Sequence, residues 1–249
     1  MNGRPDLRPW EGQRMLIMIL VTLVSFIPSL LMFLFLRNNR KDDETYRKDC
    51  NELLFKGVLI CGLVMLFGAM LRIPWNILGI AKDNKLLDRA FVCYVVNALC
   101  EEMAKFLYAR KYIVKDKTKT SRLDIISYLV ISAISFALLE DIVYAFSTSI
   151  GQIIVRGVLM GHVPEQLLMG ELYGRSIAEK KPGLKVLAFL LPILIHGSYN
   201  FLLTDGLPEW AAFVVVTLVI VETVFMICMI FRIKKKRNDP AYTEPVYMK

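Results

Sequence analysis

Histidine is scarce in this chain. There are two, His162 and His196, and no H-E-x-x-H string, so the common helix-borne zinc pattern is missing. The five cysteines (Cys50, Cys61, Cys93, Cys100 and Cys228) are odd in number and include no C-x-x-C pair. That argues against a disulfide framework and against a structural zinc site. No A-x-A site follows the first apolar run, Met15 to Leu36, and the run is too long for the apolar part of a cleaved signal. A retained first helix is expected there. No repeat and no low-complexity tract occurs. The absence of an inverted repeat weighs against a transporter architecture.

What the chain does have is apolar length. Of its 249 residues 55% are hydrophobic, and the apolar runs approach the roughly 20 helical residues needed to cross a bilayer. The expected fold is an all-α polytopic transmembrane helix bundle of about seven spanning helices. These lie at about 15–36, 53–73, 86–114, 124–146, 151–178, 184–203 and 210–231. Residues 1–231 read as one transmembrane domain, with its catalytic core near 85–205, and 232–249 as a basic, disordered tail. The net charge of +8 sits in the loops between apolar runs, so anionic lipid explains it and nucleic acid is not implied. Loops 1–2, 3–4 and 5–6 and the tail hold most of the Lys and Arg. That predicts a multi-pass cell-membrane protein with a cytoplasmic C-terminus and an outer N-terminus. Lys82, Lys85 and Arg89 run against the pattern.

Polar residues inside apolar runs are the functional signal. A charge at the bilayer centre costs about 2.5–3.5 kcal/mol on insertion scales. The third run nonetheless carries Glu101, Glu102 and Lys105. At helical spacing Tyr94, Asn97, Glu101, Lys105 and Tyr108 share a face, with Glu102 on its flank. The fourth run carries Phe136, Glu140 and Tyr144 on one face, the fifth carries His162, and the sixth carries His196 with Asn200 one turn on. Counting along the helices places Glu101, His162 and His196 near mid-bilayer and Glu140 somewhat nearer the outer face. Residues from four spans converging on one depth mark a site between facing helices. A carboxylate can take a proton from water, and His196 and Asn200 can donate hydrogen bonds to a developing oxyanion. Glu101, Glu102, Glu140, His162, His196 and Asn200 are the expected catalytic residues, with Lys105, Phe136 and Tyr144 supporting them. Asp141, Arg156 and Glu165 are assigned to packing, and Gly157-x-x-x-Gly161 and Gly170-x-x-x-Gly174 to close helix approach. Cys100 reads as small apolar filler.

Four strings, Glu101-Glu102-x-x-Lys105, Phe136-x-x-x-Glu140, the single His162 and His196-x-x-x-Asn200, resemble the PrsW family of intramembrane proteases in order and spacing. The family belongs to the wider superfamily of CAAX-processing and bacteriocin-immunity membrane proteases. The resemblance implies an endopeptidase that cuts a single-pass membrane protein, such as an anti-sigma factor, at its outer side. It makes Glu101 the general base, puts Glu140 where CAAX proteases carry a His, and gives His196 and Asn200 the oxyanion. A metal-independent, glutamate-type reaction with no cofactor is the preferred expectation. Its rival is a zinc enzyme with Glu140, His162 and His196 as ligands and Glu101 as base. A non-enzymatic proton-coupled transporter or membrane scaffold is the second class, because buried Glu and His also serve as proton relays.

Overall fold

The structure, a computed structural model, describes residues 9–145, 153–154, 157, 161–204 and 206–248. Among these the regular structure is helical, with one isolated antiparallel bridge between Ser121 and Pro245. Helix α1 spans Pro9–Arg37, α2 Glu44–Lys56 and α3 Val58–Leu78. An unbroken helical rod follows: α4 (Lys85–Ala90), a π-helical stretch (Phe91–Leu99) and α5 (Cys100–Ile113). Then come α6 (Arg122–Ala145), α7 (Val163–Ala178), α8 (Pro182–Leu202), α9 (Trp210–Lys236) and α10 (Pro240–Thr243).

Local chemistry sets several of these boundaries. The Asp43 side chain accepts the Tyr46 N–H to cap α2, and Asn84 caps α4 through Leu87 N, satisfying amides that have no intrahelical partner. Proline opens α7 and α8 in their first turns, where its missing N–H costs nothing.

Five helical segments among the described residues are long and apolar enough to cross a membrane: Met15–Arg40, Leu59–Leu78, Arg122–Val143, Pro182–Leu202 and Trp210–Lys236. The other two expected spans are not among these five. The rod over residues 85–113 is long enough, but Glu101, Glu102 and Lys105 lie in its middle. The expected fifth span, about 151–178, falls in part outside the described residues; a turn stands at Gly161–His162, and the helix after it begins at Val163 with Pro164 in the first turn. Gly161 takes φ +58°, a left-handed conformation that glycine adopts without strain. A Cβ there would lie 2.6 Å from that of Ala137 on α6.

Helix α6 is the axis of the bundle, with 78% of its apolar window buried against 11% for α3. It packs on α7, α5, α1, α2 and α3, and α7 packs in turn on α8. The close α6–α7 approach depends on Gly170 and Gly174, as their spacing suggests. A Cβ on Gly170 would lie 2.8 Å from the Ile126 Cα, and one on Gly174 2.8 Å from the Arg122 Cγ. Replacing Gly170 with valine is expected to destabilise the bundle by about 1–3 kcal/mol through overpacking. Thermal unfolding in detergent checks this against Gly62→Val, where nothing lies within 4 Å of the new Cβ.

The basic segments gather at one end of the bundle. Arg40 bonds Asp124 at 2.8 Å and the Lys119 carbonyl at 3.0 Å, and Lys115 bonds Asp49 at 2.6 Å. The C-terminal residues differ from the disordered tail expected. Tyr242 is 3% exposed and Val246 is buried in the core, and the Val246 N–H donates to the Thr120 carbonyl. Glu171 of α7 accepts from Arg122 and from the Tyr242 hydroxyl and pairs with Arg232 at 3.3 Å. The aromatic ring of Tyr242 also lies under the Arg122 guanidinium at 4.3 Å. Apolar and aromatic residues spaced among the charges hold this segment down, which composition alone does not reveal.

Candidate active site

The site lies toward the other end of the bundle. His162 immediately precedes α7, and His196 sits about 9 Å before the end of α8 at 1.5 Å per residue. Its centre is Glu102, which is fully buried. Glu102 Oε1 accepts from Lys105 Nζ at 2.6 Å and bonds His196 Nδ1 at 2.9 Å. Oε2 accepts from Gln166 Nε2 at 2.5 Å. Lys105 is also fully buried, with its ammonium over the Phe136 ring at 4.9 Å. Phe136 in turn meets His162 edge-on at 5.3 Å. Lys105 and Phe136, expected in support, thus lie against Glu102 and His162 respectively.

With Nδ1 held by Glu102, His196 directs Nε2 at Glu101. His162 Nε2 bonds Glu140 Oε2 at 2.8 Å. Both Nε2 atoms are 3.7 Å from Glu101 Oε2, and the two rings stand 4.8 Å apart. Glu101 Oε2 is buried without a hydrogen-bond partner among the described residues. A buried acceptor left open, with two imidazoles aimed at it, is arranged to receive something.

The four acids and imidazoles read from separate spans therefore meet. Asn200 lines the same cavity as Glu140, His162 and His196, together with Tyr199, Glu165 and Glu222. The cavity holds about 40 Å³, room for a water. The Tyr144 side chain lies outside the described residues. Glu102 is more than a flanking residue, because Lys105, His196 and Gln166 all bond it. Gln166 had no role assigned from sequence and is a direct partner of Glu102. Glu222 was missed, though it is the sole charge between Trp210 and Phe231, and that isolation was the available signal.

The donor set also fits a divalent metal. One atom each from Glu101, His162 and His196 lies within 4.8 Å of the others, against about 3.3 Å between ligands of a tetrahedral zinc. The ligand types are those of catalytic zinc, and Glu102 on His196 Nδ1 is the carboxylate–histidine support such sites use.

Buried imidazoles and carboxylates gathered among helices apolar enough to cross a membrane are the kind of equipment an intramembrane hydrolase needs. A family model described as "PrsW family intramembrane metalloprotease" matches residues 51–230, and the chain belongs to that family. Three curated proteins named Protease PrsW are similar to it. That of Clostridioides difficile (strain 630) is 32% identical over 141 residues, covering 53% of this chain and 59% of that protein. The Oceanobacillus iheyensis protein is 30% identical over 147 residues, covering 56% and 68%. The Geobacillus kaustophilus protein is 28% identical over 146 residues, covering 56% and 65%. The chain thus spans about three fifths to two thirds of the length of these relatives. No solved structure matches it.

Proposed function

We propose that this protein hydrolyses peptide bonds of membrane-anchored proteins at the Glu101–His162–His196 cluster, with a divalent metal held by those three side chains. The convergence of their ligand atoms within 4.8 Å around the unpartnered Glu101 Oε2 carries this reading. Bound there, a zinc-type ion supplies Lewis acidity toward water and the substrate carbonyl. With His162 Nε2 on the metal, Glu140 gives up its bond to that nitrogen and is the carboxylate placed to take the proton of the attacking water and return it to the leaving amine. Glu102, neutralised by Lys105, fixes the tautomer and direction of His196. Asn200 and Tyr199, on the same cavity wall, supply donors for the oxyanion. The metal set differs from the one read in the sequence, in that Glu101 and Glu140 exchange roles.

A second reading rests on the same open oxygen. Without metal, Glu101 itself is the base, and the imidazoles steady the water. Metal analysis of the purified protein, alongside cleavage of a single-pass substrate, separates the two. The expected result is about one equivalent of metal, with cleavage lost on chelation and restored by zinc. Full-rate cleavage by metal-free protein assigns the base to Glu101.

The substrate inferred is a single-pass protein of the anti-sigma-factor kind. The basic end of the bundle, C-terminus included, is assigned to the cytoplasm by the positive-inside rule, and the site lies toward the opposite face. Both assignments are read from charge distribution and family likeness.

A further inference from the structure

The cavity has a second acidic wall that this chemistry does not use. Glu165, on the first turn of α7, is 7% exposed, and its Oε2 has no hydrogen-bond partner among the described residues. Glu222, on α9, likewise has a buried Oε1 without one. Both line the cavity beside His196. Keeping two carboxylates with open oxygens ionised in an apolar setting is costly unless a counter-charge reaches them.

Charge balance identifies what carries it. Glu101, Glu102, Glu140, Glu165 and Glu222 surround the site, while Lys105, the one described lysine or arginine bonded within it, is already committed to Glu102. Among the described residues, a divalent ion at Glu101, His162 and His196 leaves no bonded cation for Glu165 and Glu222. Two carboxylates without further oxygen or imidazole ligands make a poor divalent site. They suit a monocation that brings its own N–H donors, each able to take one open oxygen.

We propose that Glu165 and Glu222 form a subsite for a cationic side chain, lysine or arginine, on the substrate a few residues from the bond that is cut. The subsite rests on the proposed function insofar as its ligand belongs to a substrate. The two carboxylates reach it from different helices, α7 and α9. A cationic residue there would set which bond of the substrate comes to the catalytic cluster, making Glu165 and Glu222 specificity determinants.

The test uses the full chain in lipid nanodiscs and fluorescent single-span peptides. One lysine is walked through the outer juxtamembrane segment of the peptide and compared, at each position, with uncharged norleucine. Affinity is read by equilibrium binding and cleavage in the same samples. At one position lysine is expected to bind about tenfold tighter than norleucine, the size of one compensated charge pair. That ratio should fall to about one in Glu222→Gln and in Glu165→Gln and persist in Glu222→Asp. No lysine position favoured over norleucine by wild-type protein overturns the proposal, as does a preference that survives both glutamine variants. A preference that follows the two carboxylates in protein that cuts nothing supports the subsite and removes the hydrolase reading alone.

Discussion

Glu101→Gln is expected to lower cleavage by about 10²–10⁴-fold, the range over which a positioned acid–base group contributes. The substitution keeps the shape of the side chain and removes its charge. In the metal-bound reading it also removes the only anionic ligand, so bound metal should fall in parallel with activity. The two quantities, measured on one preparation, discriminate between roles. Loss of both makes Glu101 a ligand, whereas loss of activity with the metal retained makes it the base. Cleavage at the wild-type rate in folded Glu101→Gln protein would remove Glu101 from the chemistry altogether.

The second large effect falls on stability. Glu102 holds Lys105, His196 and Gln166 together with no access to solvent. Glu102→Ala leaves a buried ammonium without its counter-charge and two further groups without their partner. Breaking a buried pair from one side costs about 3–5 kcal/mol. Denaturant unfolding in detergent measures that loss. Adding Lys105→Met to Glu102→Ala should recover part of it, because the double variant no longer buries an orphaned charge. If the double variant is as unstable as the sum of the two single ones, Glu102 acts by packing and its charge is incidental.

Much of this site was legible in the residues. Charges and imidazoles in apolar runs are rare enough to point inward wherever they occur, so Glu101, Glu140, His162 and His196 could be read from separate spans before any coordinates. What helical periodicity could not give was the division of labour between adjacent acids. That depends on the partners that other helices bring to each, His196 and Gln166 to Glu102 and no hydrogen-bond partner among the described residues to Glu101 Oε2. The start of α7 was readable in principle, since Gly161 and Pro164 bracket His162 in the pattern of a turn entering a helix. The short apolar runs on either side of Arg156 hid it. The packed C-terminal segment was obscured for the opposite reason. Its charges suggested solvent, while its fixing contacts, Tyr242 and Val246, come from residues too few to register as a pattern.

The π stretch at Phe91–Leu99 has a consequence for the rod it belongs to. With more residues per turn than an α-helix, it sets the angle at which Tyr94 and Asn97 stand relative to the acids of α5. A single-codon insertion or deletion between Phe91 and Leu99 would turn one half of the rod against the other while leaving the spacing of Glu101, Glu102 and Lys105 untouched.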